Sequence, residues 1–237
     1  LKKIMPNSNK LEKEEVKDYF NGTGFDRWRR IYSKSEDVNT VQKNIRIGHQ
    51  KTVDDVLDWI KNDPTFLKSS FCDAGCGVGS LSVPLLKLGI NDIQVSDISA
   101  SMIDETKLRI KRENLNSKKI KYKICDLENL SGSFDFVICL DVFIHYPQPV
   151  AEEMVKHLCS LTKSNLIVSF APYTPFLAFL KSIGKLFPGP SKTTRAYTLR
   201  EQGIIRAAKE QGFAVSRKKL NQAPFYFSKL IEFKKNN

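Results

Sequence analysis

Three acidic residues stand where chemistry on a bound ligand would need them: Asp73, Asp97 and Asp126, each at the end of a short stretch that reads as a strand. Asp73 leads into Ala74-Gly75-Cys76-Gly77-Val78-Gly79-Ser80, with glycine at every second position. Such a backbone turns sharply and lets a ligand come close, because no side chain holds it away. A dinucleotide-binding turn would place its third glycine three positions after the second, where this chain has Ser80, and an apolar residue where Asp73 stands. A phosphate at this turn would meet the charge of Asp73, whereas a cationic or hydroxyl-rich ligand would be favoured there. Glycine turns also serve as plain strand-to-helix connections, so the acids at the following strand ends carry weight.

The Asp73-to-Gly79 run resembles the S-adenosylmethionine motif of class I methyltransferases, whose cofactor has a sulfonium, an ammonium and no phosphate. On that resemblance Asp73, Ala74, Gly75, Cys76, Gly77 and Gly79 cradle the cofactor, which leaves as S-adenosylhomocysteine. Asp97 lies 24 residues beyond Asp73, about where dinucleotide folds place an acid on ribose hydroxyls, with Ile98 and Met102 beside it. The alternative for Asp97 is a helix N-cap, a role that Ser99 fills better. Asp126 is placed to accept from an adenine amino group, with Leu127 packing the ring, and Leu140 completes the set after the fourth strand. Val78 departs from the threonine of many methyltransferases, which removes one hydroxyl contact and leaves the glycines.

The elements around these residues alternate. Strands are expected near 69–73, 92–97, 120–124, 134–140 and 164–170, with helices near 80–88, 99–114 and 148–161. A helix near 198–211 and two closing strands, 213–220 and 225–233, follow. This is an α/β pattern: a doubly wound, mostly parallel seven-stranded sheet, Rossmann-like, of the class I methyltransferase variety. Ahead of it, residues 1–48 read as a helical arm or lid, two short helices broken at Asn21-Gly22-Thr23-Gly24. Gly48-His49 then precede an amphipathic helix over Lys51 to Lys61, which opens the main domain of 49–237. Residues 171–197 fall outside the alternation and form an insert after the fifth strand, with apolar residues at helical spacing. A lid over an apolar substrate, an interfacial helix and a small packed subdomain all fit it.

The 237 residues carry 38 Lys and Arg against 26 Asp and Glu, a net charge of +12. That balance favours an anionic partner, be it nucleic acid, acidic lipid or an acidic small molecule, although the lysines are scattered as on a solvated surface. Hydrophobic residues at 41% and charged residues at 27% exclude a disordered chain. The longest uncharged run, Ser164 to Leu180, is broken by Pro172 and Pro175 and is not expected to span a bilayer. Five cysteines without a C-x-x-C pair read as reduced packing residues of an intracellular protein, and no His, Cys and carboxylate cluster has the spacing of a protein metal site.

The acceptor side belongs at Cys139-Leu140-Asp141-Val142-Phe143-Ile144-His145-Tyr146-Pro147. The Pro-Pro-aromatic pattern of amine methyltransferases is missing here. His145 is open to three roles, a hydrogen bond to the acceptor, a base, or an axial ligand to a metal in the substrate, besides that of a packed strand-end residue.

Tyr19-Phe20-Asn21-Gly22-Thr23-Gly24-Phe25-Asp26-Arg27-Trp28-Arg29-Arg30-Ile31-Tyr32 resembles one family closely, the magnesium-protoporphyrin IX methyltransferases of chlorophyll biosynthesis. The likeness continues through Val41 to His49, Cys72 to Ser82 and Asp97-Ile98-Ser99, and returns at His145-Tyr146-Pro147. It implies methyl transfer from S-adenosylmethionine to one propionate of magnesium protoporphyrin IX. It further implies Tyr32 and His145 as catalytic residues that orient the carboxylate or cap the magnesium. Arg27, Arg29, Arg30 or Arg46 would hold the other propionate, Phe176 and Phe179 of the insert would cover the macrocycle, and no metal would be bound by the protein itself. A magnesium-inserting chelatase is the expected partner by resemblance only. Peripheral contact with photosynthetic membranes is expected, and the setting is cytoplasm or plastid stroma. An RNA or other small-molecule methyltransferase, and a non-catalytic porphyrin carrier or sensor, are the competing readings.

Overall fold

The computed structural model describes residues 6–32, 39–115, 119–173 and 197–236. Its strands are β1 (Phe71–Ala74), β2 (Asp92–Asp97), β3 (Lys119–Ile124), β4 (Phe134–Cys139), β5 (Thr162–Phe170), β6 (Phe213–Ala223) and β7 (Tyr226–Lys235). They form one sheet in the order β3-β2-β1-β4-β5-β7-β6, with β1 to β5 parallel and the β6–β7 hairpin antiparallel. The expected strands all appear within a few residues of their places.

Among the described residues seven α-helices accompany the sheet: α1 (Pro6–Asn21), α2 (Thr23–Tyr32), α3 (Thr40–Lys61), α4 (Ser82–Lys87), α5 (Ala100–Arg112), α6 (Gln148–Leu161) and α7 (Glu201–Lys209). Successive residues of the inner strands go to opposite faces, as strand geometry requires. Phe71, Phe136, Ile138 and Ile167 join Val53, Val56 and Ile60 of α3 in one core, while Cys72, Val137, Cys139 and Val168 join α6 and α7 in the other. Both faces are dry, which explains why the strands read as apolar runs rather than as alternations. Four of the five cysteines are buried and all are free thiols.

The helix expected to begin at Lys51 begins at Thr40 instead, so Gly48 and His49 lie inside it and the boundary drawn at residue 48 falls mid-helix. Asn39 starts it: its side chain accepts from Gln42 N at 2.9 Å, and its own N–H donates to the Gln42 side chain at 3.3 Å. This is a capping box with Asn and Gln in place of the commoner Ser and Glu. Gly48 is tolerated in mid-helix because Tyr226 occupies the space beside it; a Cβ there would lie 2.3 Å from Tyr226 Cδ1.

The insert leaves and returns side by side. Tyr173 N donates to Leu199 O at 2.7 Å and Leu199 N to Ala171 O at 2.8 Å, while Tyr197 N reaches Ile144 O, next to His145, at 2.7 Å. Phe176 and Phe179 lie outside the described residues.

Replacement of Asn39 by Ala removes the cap of the helix that carries His49, and is expected to lower stability by about 1 kcal/mol. Urea unfolding monitored by circular dichroism measures this.

Candidate active site

The strand order reverses between β1 and β4, so the crevice at their carboxyl ends is where an open α/β sheet binds ligands. The turn after β1 is built for this place. Gly75 and Gly77 have φ of 84° and 52°, left-handed values that side chains resist. A Cβ on Gly75 would stand 2.3 Å from Val142 Cγ2, whereas the Cβ position of Gly77 has nothing within 4 Å. The first glycine permits close packing, and the second leaves its side open.

Backbone hydrogen bonds tie this turn to the end of β2. Gly75 N and Cys76 N both donate to Ser96 O, at 2.8 and 2.9 Å. Asp97 completes the tie, with Gly77 N donating to one carboxylate oxygen and Ser99 N to the other, each at 2.9 Å. Ser99 caps α5 as expected, accepting from Met102 N, and its hydroxyl also reaches Phe20 O and Asn21 Oδ1 of the arm, at 3.0 and 2.8 Å.

Beside the turn opens a cavity of about 920 Å³, counting its mouth. Of the residues expected at the cofactor, Asp73, Gly75, Cys76, Gly77, Asp97, Ile98, Met102, Asp126, Leu127 and Leu140 line it. Ala74 and Gly79 do not: Ala74 is buried within β1, and Gly79 is packed against Thr106. Asp73 is buried and receives the Ser82 hydroxyl. Burial pushes its carboxyl up to about 7, against the lowering effect of that hydrogen bond. Burial likewise pushes Asp97 up to about 6, against the N–H donors around it. Four acids line the cavity, Asp73, Asp97, Asp126 and Asp141, and among the described residues no Lys or Arg does. Such a wall fits a cofactor bearing positive charge, sugar hydroxyls and a flat ring, and among the described residues it offers no Lys or Arg to a phosphate.

The other half of the cavity is aromatic. Tyr32 of α2 stacks on Trp28 with centroids 5.8 Å apart and meets His49 of α3 edge-on at 5.1 Å, while His145 meets Phe20 edge-on at 5.0 Å. The Tyr32 hydroxyl is buried without a hydrogen-bond partner among the described residues, and so is His49 Nδ1. Burial, with the Asp141 charge, raises Tyr32 well above the usual phenol range; burial also lowers His145 to about 4. Both are neutral at pH 7.

Asp141 has φ of 56°, an uncommon conformation for a residue with a side chain. It is held by the hydroxyls of Ser169 and Tyr226, each at 2.6 Å, and of Ser228 at 3.0 Å. Tyr226 also touches the Thr52 hydroxyl at 3.1 Å, which links Asp141 to α3.

None of the four arginines expected at the substrate lines this cavity. Arg29 and Arg30 line a neighbouring hollow with Arg109, Arg112, Glu105 and Glu113, and this hollow shares Tyr32 and Val78 with the cavity. Arg109 donates to Val78 O at 2.7 Å. Arg27 and Arg46 are half-buried and line neither. Sequence reasoning gave no role to Phe20, Trp28, His49 and Asp141. The signal for Asp141 was present, since it is a fourth acid just past a strand end, after Asp73, Asp97 and Asp126.

A seven-stranded sheet with an antiparallel hairpin at one edge, and an acid-lined cavity at its reversal point, define a class I methyltransferase. The family model "Methyltransferase domain" matches residues 71–165, and "Magnesium-protoporphyrin IX methyltransferase C-terminus" matches residues 139–235. The "Magnesium protoporphyrin IX methyltransferase, chloroplastic" of Arabidopsis thaliana is 48% identical, over 93% of this chain and 70% of that protein. The "Magnesium-protoporphyrin O-methyltransferase" of Synechocystis is 47% identical, over 96% of this chain and 98% of that protein. A crystal structure of the Synechocystis enzyme with bound SAH aligns with a TM-score of 0.87 at 46% identity, covering 94% of this chain and all of that one. The chain belongs to the magnesium-protoporphyrin O-methyltransferase family.

The raised carboxyls set a pH dependence. The folded chain holds the Asp73 and Asp97 protons more tightly than the unfolded chain. The stability they contribute is therefore full below about pH 4 and is lost as pH rises through 6 to 7. A cationic cofactor has the opposite preference. S-adenosylmethionine affinity is expected to rise from pH 5.5 to 8. Asp73→Asn should weaken it roughly 10- to 100-fold at pH 8 and far less at pH 5.5, as read by isothermal titration.

Proposed function

We propose that this protein is an S-adenosylmethionine-dependent O-methyltransferase that esterifies one propionate of magnesium protoporphyrin IX to the monomethyl ester, in chlorophyll biosynthesis. The observation that carries the reading is the division of one cavity into an acid-lined half beside the glycine turn and an aromatic half with neutral polar groups. Membership of the family supplies the acceptor. The bound cofactor supplies a methyl group on a sulfonium.

The protein's own residues meet what this reaction requires. A propionate is ionised at pH 7, so no strong base is needed. Placement and exclusion of water are needed, and good placement alone lowers such a barrier by about 7–11 kcal/mol. Phe20, Trp28 and Tyr32 bring an apolar wall over the site from the arm. Tyr32 and His145 offer neutral contacts to the carboxylate. Neutrality matters, because the carboxylate loses charge as it reacts, and a cation paired with it would stabilise the starting state more than the transition state. The cavity lining contains no such cation among the described residues. Arg29 and Arg30, in the adjoining hollow, are placed for the propionate that does not react; Arg27 and Arg46 are weaker candidates. In this reading α1 and α2 act as the arm, the catalytic domain begins with α3, and the 171–197 insert serves the macrocycle side.

Among the described residues no helix is long and apolar enough to cross a membrane. The net charge of +12 supports attachment to an acidic membrane surface; plastid stroma or cytoplasm as the setting, and a magnesium-inserting chelatase as the donor of substrate, rest on the family resemblance alone. Vesicles rich in anionic lipid are expected to pellet the protein at low salt and to release it as salt rises.

Labelled S-adenosylmethionine offered with magnesium protoporphyrin IX, metal-free protoporphyrin and total RNA in parallel tests the assignment. Ester should form chiefly on the magnesium porphyrin, and label in RNA would refute it. Tyr32→Phe should lower kcat/KM roughly 10- to 100-fold, the worth of one hydrogen bond to a charged group, while S-adenosylhomocysteine binding stays unchanged.

A further inference from the structure

His49 lines the cavity, is 6% exposed, and is not needed to place the carboxylate or the cofactor. Its two ring nitrogens have different surroundings. Nε2 stands 4.0 Å from Asp141 Oδ2, and Nδ1 is buried with no hydrogen-bond partner among the described residues. Burial lowers the imidazole's proton affinity, and the Asp141 charge only partly offsets this, so the ring is neutral at pH 7. A neutral imidazole carries one N–H, and the Asp141 carboxylate, at 4.0 Å beyond hydrogen-bond reach, favours it on Nε2 by charge alone. Nδ1 is left as a lone pair.

A buried acceptor without a donor costs about 1–3 kcal/mol. Its presence in the wall of a binding cavity points to a partner that arrives with the ligand. A carboxylate has no proton to offer and would repel the lone pair. The electron-deficient centre of the proposed acceptor is its magnesium, bound by four pyrrole nitrogens and able to exchange an axial water for another ligand. An imidazole whose second nitrogen donates toward a carboxylate is the usual form of a metal-ligating histidine. Asp141 is itself fixed by Ser169, Tyr226 and Ser228, so the carboxylate that orients the ring is anchored from β5 and β7.

We propose that His49 is the axial ligand of the acceptor's magnesium, oriented by Asp141, and that it selects the metallated macrocycle over the metal-free one. The proposal rests on the reading of the acceptor as magnesium protoporphyrin. The Nδ1 lone pair forms a dative bond to magnesium, an axial water leaves, and no proton or electron moves. Nδ1 is closed off in this state with Tyr32 edge-on to the ring, so coordination requires Tyr32 on α2 to draw aside as the macrocycle enters. His145, across the cavity on Phe20, is then left for the carboxylate.

The test is an absorption titration of the full chain, saturated with S-adenosylhomocysteine, using magnesium protoporphyrin and metal-free protoporphyrin separately. His49→Ala and His49→Gln are compared with the unaltered protein, the Gln variant keeping bulk and polarity should the Ala variant fold poorly. The magnesium porphyrin is expected to bind roughly 10- to 100-fold more weakly to both variants, with metal-free porphyrin and S-adenosylhomocysteine affinities unchanged. Added imidazole should restore the position of the Soret band in His49→Ala. Equal weakening of both porphyrins, a fall in S-adenosylhomocysteine affinity, or a Soret band identical in all three proteins would overturn the assignment. Should the unaltered protein methylate magnesium porphyrin while the variants keep their preference for it, His49 alone is misassigned. Should the unaltered protein bind neither porphyrin, the acceptor reading falls as well.

Discussion

The hydrogen bonds that tie the glycine turn after β1 to the end of β2 are the constraint on which the site depends. Ser96 O takes two N–H groups from the turn, and Asp97 takes a third through its side chain. Without these ties the turn would be free to relax, and the space beside Gly77 would close. The same ties place Asp97 with both its oxygens already engaged by N–H groups, which supplies part of the solvation that burial removes. Ser99 extends the connection to the end of α1, so the turn and the N-terminal helices meet at one residue.

Charge is distributed unevenly in this molecule, and the unevenness is functional. The surface carries the excess of lysine and arginine, while the cavity wall carries four acids and, among the described residues, no base. An acidic wall concentrates a cation in a place where water is scarce and fields are strong. The groups opposite, a phenol and two imidazoles, are neutral at pH 7. The arginines nearest the cavity, on α2 and α5, line the hollow next to it instead.

Much of this was legible in the sequence. Strands buried on both faces declare themselves as apolar runs, and the glycines and strand-end acids mark the turn and the cofactor side whatever their tertiary context. The start of α3 was not legible, because Gly48 breaks the helical pattern and its reason for being there, Tyr226, lies on a strand far along the chain. His49 was read as preceding a helix for the same cause. The retreat of the arginines from the cavity was also hidden: α2 turns Trp28 and Tyr32 inward, and spacing alone does not say which face of so short a helix is covered.

The packing of Gly48 against Tyr226 has a consequence for how this sequence can drift. Any larger residue at Gly48 must be met by a smaller one at Tyr226, and that change removes the hydroxyl that holds Asp141. Two positions 178 residues apart, neither of them in the cavity lining, therefore form a single inherited unit with an acid that is. Lineages in which one has changed without the other should be rare, and those in which both have changed should carry a different arrangement at the end of β4.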